Sequence, residues 1–205
     1  MSVTGTLYII SAPSGAGKTS LVRRLLATVP DVEVSVSHTT RPARPGERDG
    51  MDYYFVDLTT FQALAQAGVF LESAQVFDYC YGTSRHAVNE RLRSGLDVIL
   101  EIDWQGARQV REHAPDACSI FILPPSLDTL RRRLEQRGQD DKVVIDRRMR
   151  DAMAEISHYD EFDYIVINDD FECALTALQA IVIARRQRRD WQVRRHRELI
   201  HALLS

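Results

Sequence analysis

Ser11-Ala12-Pro13-Ser14-Gly15-Ala16-Gly17-Lys18-Thr19 follows the apolar run Leu7-Tyr8-Ile9-Ile10 and leads into Ser20-Leu21-Val22-Arg23-Arg24-Leu25-Leu26, a segment with helical spacing. A glycine-rich turn between a short strand and a helix is the pattern of a phosphate-binding loop. Gly15 and Gly17 let the backbone curl with its N–H groups inward, beside the positive end of the helix dipole. In such a loop Lys18 reaches the β- and γ-phosphates and the Thr19 hydroxyl ligates Mg²⁺. The general pattern has glycine where this chain has Ala12. The substitution is tolerable because Gly15 and Gly17 stand where the backbone approaches the phosphate. The loop predicts a bound nucleoside triphosphate.

The 205 residues fit one domain with room for inserted subdomains and a sizeable core. A net charge of -3 gives no support for a nucleic-acid partner. Lys18 and Lys142 are the two lysines in an otherwise arginine-based set of cations, so lysine stands where the loop asks for one. Cys80, Cys118 and Cys173 lie far apart without metal-ligand spacing, which predicts a reducing, cytoplasmic setting. The start of the chain has no basic, apolar leader pattern, and no run of 18 apolar residues predicts a membrane span.

Leu7–Ser11, Val98–Ile102, Ser119–Leu123 and Tyr164–Ile167 are near-continuously apolar, as parallel strands covered on both faces are. Helical patterns lie between them, at Ser20–Thr28, Ser84–Ser94 and Gln105–His113. The alternation predicts an α/β fold, a doubly wound parallel sheet of the type found in P-loop nucleoside-triphosphate hydrolases, with its crevice at the carboxyl ends of the strands. Two stretches break the alternation. Residues 32–83 read as a small, mostly β insertion with one helix near Thr60–Gln66. Residues 126–157 read as an arginine-rich helical hairpin, with Ser126 capping the first helix, Gly138 ending it and Asp140 or Asp141 capping the second.

Glu101 and Asp103 stand two apart at the end of a buried strand, so their side chains share a face. Asp103 has two open roles there, holding the waters of a phosphate-bound Mg²⁺ and capping the next helix. Arg41 and Arg44, stiffened by Pro42 and Pro45, form a fork suited to a phosphate dianion. Tyr53 and Tyr81 either add hydroxyls to that anion or pack in the core.

Ser14-Gly15-Ala16-Gly17-Lys18, Ser37-His38-Thr39-Thr40-Arg41, Arg44-Pro45-Gly46-Glu47, Tyr81-Gly82-Thr83, Glu101-Ile102-Asp103-Trp104-Gln105-Gly106, Pro124-Pro125-Ser126, Gln136-Arg137-Gly138 and Val166-Ile167-Asn168-Asp169-Asp170 resemble, in order and spacing, the bacterial guanylate kinases. The resemblance spans residues 4–184 and includes the Ala-Pro-Ser-Gly form of the loop. It implies transfer of the γ-phosphoryl group of ATP to GMP, with Mg²⁺. It further implies a core (1–36, 84–125 and 158–184), a GMP-binding subdomain (37–83) and a lid (126–157), followed by a C-terminal arginine-rich helix (185–205). That last stretch carries an apolar stripe of Trp191, Val193, Leu199, Ile200 and Leu203, able to pack on the core or on a second subunit as a homo-oligomer contact.

By the same resemblance, Ser11, Ala12, Pro13, Ser14, Gly15, Ala16, Gly17, Lys18, Thr19 and Ser20 hold ATP with Arg133, Arg137 and Asn168; the alternative for Asn168 is a cap on a strand end. Arg41, Arg44, Tyr53 and Tyr81 hold the GMP phosphate. Ser37, Glu72 and Thr83 read guanine, and Asp103 lies against GMP. Lys18, Arg41, Asp103, Arg137 and Arg148 form the catalytic set, and Thr19, Asp103 and Glu101 hold the metal, the acids through water. Glu101 stands where the family often has aspartate. Glu72 has a physical rationale: guanine presents N1–H and its 2-amino group as adjacent donors, and one carboxylate accepts both. Sites of that kind reject an analogue lacking the donor by roughly 10⁴-fold. GMP and dGMP are the expected acceptors. Two other readings stand beside this one: a non-catalytic binding module of the same fold, and a related kinase acting on a ribose phosphate.

Overall fold

The computed structural model describes residues 5–76, 78–136 and 142–205. The first apolar run forms strand β1 (Leu7–Ser11), and the loop after it opens helix α1 (Lys18–Thr28). The chain continues through β2 (Val32–Val34), β3 (His38–Thr39), β4 (Tyr54–Phe55), α2 (Leu58–Gln66), β5 (Phe70–Val76), β6 (Tyr79–Ser84) and α3 (Arg85–Arg93). It then forms β7 (Asp97–Glu101), α4 (Trp104–His113), β8 (Cys118–Leu123), α5 (Leu127–Gln136) and α6 (Lys142–Ile156). It ends with β9 (Tyr164–Ile167), α7 (Phe171–Arg186), α8 (Arg189–Arg195) and α9 (Arg197–Leu203).

The main sheet runs β2-β7-β1-β8-β9, and every pairing in it is parallel. Side chains alternate across it, so both faces need cover. Tyr8, Ile10, Ile99, Ile120 and Ile122 pack on one side with Leu21 and Leu25 of α1 and Leu175 and Leu178 of α7. Ile9, Val98, Leu100 and Phe121 pack on the other with Val88 of α3 and Ala107 and Val110 of α4. The second sheet runs β4-β3-β6-β5, with β6 antiparallel to both of its neighbours. Helices α5 and α6 close on a small core of their own, Leu130, Leu134, Ile145, Met149 and Ala152.

Ser126 caps α5 as expected, its Oγ accepting the Thr129 N–H at 3.1 Å. The expected caps at Gly138, Asp140 and Asp141 lie outside the described residues. Three features differ from the sequence reading. Val32–Val34 joins the main sheet beside β7 instead of the small one, a choice that three alternating residues leave open. Strand β9 is an edge, so Tyr164, Ile165 and Ile167 are exposed despite their apolar character. Residues 185–205 form the last turn of α7 and two short helices, not one helix. Clustered arginines at helical spacing repel one another, and Gln192 Nε2 donates to the Arg186 carbonyl at 2.9 Å, capping α7 where the chain turns.

The far end of α7 is tied to the sheet by a buried ion pair. Asp97 accepts the Thr6 N–H at 2.6 Å and Arg186 Nε at 2.8 Å, and Arg186 Nη2 also donates to the Pro30 carbonyl at 2.8 Å. Removing one member of such a pair strands the other. Asp97→Ala is therefore expected to cost about 3 kcal/mol of unfolding free energy. The check is the urea midpoint at an unchanged denaturant slope.

Candidate active site

The carboxyl ends of β1 and β7 lie side by side, with Ile10 paired to Glu101, and Ser11 Oγ donates to the Ile102 carbonyl at 2.7 Å. This pairing sets the loop and the two acids against one cavity of about 280 Å³. Its loop wall comprises Ala12 to Gly15 and Gly17 to Ser20, and the facing walls comprise Ser37, Tyr53, Glu72, Tyr81, Glu101, Asp103 and Glu155.

Gly15 and Gly17 adopt φ of 95° and 96°, a left-handed conformation that side-chain-bearing residues seldom take. A Cβ on Gly17 would also meet Asn168 Nδ2 at 2.4 Å. No side chain caps α1, which leaves its first N–H groups for an anion. Beneath the loop Asn168, buried, donates from Nδ2 to the Ala16 carbonyl at 2.6 Å. Arg133 Nη2 in turn donates to the Asn168 carbonyl at 3.0 Å, while its Nη1 is buried without an acceptor. Both residues thus brace the loop from behind, Asn168 directly and Arg133 through Asn168.

The small sheet builds the opposite wall. Glu72, Ala74 and Val76 lie on one face of β5 and all reach the cavity, as a period of two requires. The pairing of β5 with β6 slips between Phe70 and Glu72, a bulge that sets Glu72 opposite Thr83. Glu72 is 3% exposed, and burial pushes its carboxyl up to about 7 although Thr83 donates to it. Its Oε1 has no hydrogen-bond partner. Ser37 Oγ lies 3.0 Å from Thr83 Oγ1, so Ser37, Glu72 and Thr83 come together as expected. Gly106 is needed here, because a Cβ at that position would meet Glu72 Oε2 at 2.8 Å.

Of the two roles left open for Asp103 the structure shows the cap, its Oδ1 accepting the Gly106 N–H at 2.8 Å at the start of α4, and the same residue lines the cavity. Burial raises its carboxyl and nearby Lys18 opposes that shift. Tyr53 and Tyr81 line the cavity, their rings edge to face at 6.0 Å. Arg41 stands behind them, 5.4 Å from the Tyr53 ring centre, with Nη1 and Nη2 both donating to Glu47 at 2.9 Å. Glu47 also accepts the Arg44 N–H at 2.7 Å. The fork is thus held in shape by a carboxylate, and Glu47 is a site residue that the sequence quoted without a role. Arg41 also hydrogen-bonds Tyr81, and it stands beside the cavity without lining it. Arg148 sits half-buried on α6 and does not line the cavity. Arg137 lies outside the described residues.

Glu155 was not foreseen. It lines the cavity from α6, where burial and the neighbouring Asp103 push its carboxyl up to about 7 while Lys18 and the Ser14 N–H pull it down. Its signal was the helical spacing from Ala152, three residues before it on the inward face. For a metal, no group of three ligating side chains stands close enough to bind one directly among the described residues. Buried, unpartnered Glu101 Oε1 and Glu155 Oε2 beside Thr19 instead fit an ion carried by phosphate oxygens and held through its waters.

A phosphate loop on a doubly wound sheet, sharing one cavity with an inserted sheet and flanked by a helical hairpin, defines a P-loop phosphotransferase. Comparison narrows this further. A model of the guanylate kinase family matches residues 4–185. The chain is 62% identical over 188 residues to the guanylate kinase of Alkalilimnicola ehrlichii, covering 92% of this chain and 93% of that protein. It is 55% identical over 202 residues to that of Legionella pneumophila strain Paris, covering 98% and 97%. The crystal structure of guanylate kinase from Anaplasma phagocytophilum superposes with a TM-score of 0.77 at 35% identity, covering 92% and 90%. The chain belongs to the guanylate kinase family.

Because Glu155 sets a negative charge against the loop, Glu155→Gln is expected to tighten binding of metal-free ATP at pH 8 by about tenfold, the effect of one removed charge contact. It should also flatten the dependence of that binding on pH around 7, since the wild-type carboxyl must take up a proton as the triphosphate arrives. Calorimetric titration at pH 6 and pH 8 measures both.

Proposed function

We infer that this chain transfers the γ-phosphoryl group of ATP to the phosphate of GMP, giving ADP and GDP. The observation that carries the reading is Glu72: a carboxylate 3% exposed with one oxygen unpartnered, across a single cavity from the phosphate loop. A buried carboxylate backed by Ser37 and Thr83 matches the adjacent, coplanar donors of guanine, a pair that the hydroxyls of a ribose phosphate do not reproduce. The intact loop, with Lys18 and Thr19 on the cavity wall, favours a catalyst over a binding module.

In this reading the loop N–H groups and Lys18 bind the triphosphate, while Arg41, Arg44, Tyr53 and Tyr81 bind the GMP phosphate. The lid (126–157) brings Arg133, Arg137 and Arg148 to the transferring group as it closes on the core, and the subdomain (37–83) closes from the other side. Phosphoryl transfer asks little covalent chemistry of a protein, so alignment and charge neutralisation supply most of the acceleration. An arginine at the transferring group is worth about 10³ to 10⁵ in rate. Asp103 orients the acceptor and does not need to act as a base. Closure of the two flaps excludes water and keeps ATP hydrolysis low. The Thr19 hydroxyl, and Glu101 and Asp103 through waters, would hold a Mg²⁺ arriving with the triphosphate, which would supply charge neutralisation. dGMP is accepted to the extent that the ribose 2′-hydroxyl goes unread. Three free thiols, Cys80, Cys118 and Cys173, suit a cytoplasmic location, where both substrates are made. Exposed Val193, Leu199 and Leu203 suit a contact with a second copy.

Two measurements test the reading. With MgATP, ADP release is expected with GMP and, more weakly, dGMP, and to be absent with AMP, CMP, UMP or ribose phosphates; no release with GMP would refute it. Guanine is read by the ionised form of Glu72, whose carboxyl sits near 7 in the free protein. Raising the pH through 7 therefore favours binding, and kcat/KM for GMP should fall by up to about tenfold per pH unit below 7. Glu72→Gln should lower kcat/KM for GMP by about 10³-fold and remove that slope while sparing the Kd for ATP.

A further inference from the structure

A second cavity, of about 550 Å³, opens at the opposite end of the main sheet, where Thr6 and Leu7 begin β1 and Ala117 precedes β8. It shares no lining residue with the nucleotide pocket. Five arginines line it: Arg85 and Arg93 from α3, and Arg185, Arg188 and Arg194 from the end of α7 and from around α8. The carboxylates among its lining residues are Asp116 and Asp190 alone. We propose that this cavity binds a multiply phosphorylated small molecule.

The guanidiniums are under-committed. Asp190 is shared by Arg188 at 3.4 Å and Arg194 at 3.6 Å, both pairs solvent-exposed, so neither cation is tightly held. Arg85 donates weakly to the Phe70 carbonyl at 3.4 Å, and Arg185 donates to the Asp116 backbone carbonyl. Neither contact neutralises charge. The cavity is therefore a concentration of cations in a chain whose net charge is -3. A second observation points the same way. Trp191 lines this cavity, is 6% exposed, and its Nε1–H is buried without an acceptor. Indole nitrogen can only donate, and buried donors are nearly always paired. Guanidiniums from α3, α7 and the region of α8 make a lining of donors, which phosphate oxygens accept in geometry that arginine forks favour. The spread of cations from α3 to α8 asks for more than one phosphate. The volume is that of a nucleotide-sized ligand, and Leu71, Val88, Leu92 and Pro115 provide an apolar wall for a base or ring.

The test is calorimetric titration of the full chain with tripolyphosphate. Wild-type protein is expected to take up one equivalent at the loop and one at this cavity, and Lys18→Ala should keep the second. Arg93→Ala combined with Arg188→Ala should weaken the second by about a hundredfold, roughly tenfold for each charged hydrogen bond lost, with kcat and both KM values unchanged. Both arginines are exposed, so the fold should survive. Trp104 and Trp191 are the two tryptophans, so in a Trp104→Phe, Lys18→Ala chain a saturable change in emission on adding tripolyphosphate reports the cavity directly. Comparing ATP with tripolyphosphate in the Lys18→Ala chain distinguishes a nucleotide, which binds more tightly, from a plain polyphosphate. Loss of all binding in Lys18→Ala, or unchanged binding in the double arginine variant, would overturn the proposal.

Discussion

The parallel pairing of β1 with β7 decides where everything else in the site stands. Parallel strands side by side end at the same level, so the turn leaving β1 and the turn leaving β7 must share one crevice. One turn is the phosphate loop and the other carries Glu101 and Asp103, and the Ser11 hydroxyl fastens them by its bond to the Ile102 carbonyl. Helix α1 then points its uncapped N-terminus into the crevice, while α4, starting at Asp103, brings Gly106 against Glu72 on the small sheet. A slip of this pairing by one residue would reverse the faces of β7 and take Glu101 away from the loop. The side chains that hold the pairing are the apolar ones covered on both faces, so the core and the site are specified by the same residues.

The charges in the crevice follow from what it receives. Two polyanions must enter a space where Lys18 is the cation on the wall and Glu72, Glu101, Asp103 and Glu155 are the acids. With the arginines held back, on Glu47 for Arg41 and on Asn168 for Arg133, the cavity carries more acid than base. That balance explains why the carboxyls of Glu72 and Glu155 both sit near 7: burial and mutual repulsion favour their neutral forms. Guanine would draw Glu72 toward its ionised form, and a triphosphate would push Glu155 toward its neutral one.

What could be read from the chain beforehand was what lies close in sequence. The loop needs only nine consecutive residues, because its glycines, lysine and hydroxyl act through local backbone geometry. Glu101 and Asp103 were legible as a pair for the same reason. The cap role of Asp103 was visible, since an N-cap is a local contact. What escaped depends on packing between distant segments. Glu155 reaches Lys18 only because α6 folds over the loop, and its sequence neighbours read as a solvated arginine-rich face. Asn168 and Arg133 were foreseen near a nucleotide, yet Asn168 bonds the Ala16 carbonyl from behind the loop and Arg133 bonds the Asn168 carbonyl in turn, a relation no spacing expresses. The three residues of β2 alternate equally well in either sheet, and only the partner strand distinguishes them. The edge position of β9 is likewise set by sheet order, which its apolar composition does not reveal.

The arginine content takes on a different meaning at the two ends of the sheet. At the carboxyl end two arginines near the crevice are paired or braced: Arg41 is bidentate on Glu47, and Arg133 is bonded to Asn168. Such pairing costs little when a phosphate arrives, because a guanidinium has five donors and these contacts leave some free. It also keeps the side chains in place, so less rotamer freedom is lost on binding. At the amino end, Arg93 and Arg188 are exposed and the nearest carboxylates are shared or remote. A genome rich in arginine codons would scatter the residue evenly over the surface. It would not explain why arginines from three elements converge on one cavity beside Trp191, whose buried N–H lacks an acceptor among the described residues. Composition accounts for how many arginines the chain has, and the unsatisfied donor accounts for why their gathering at that end is chemically meaningful.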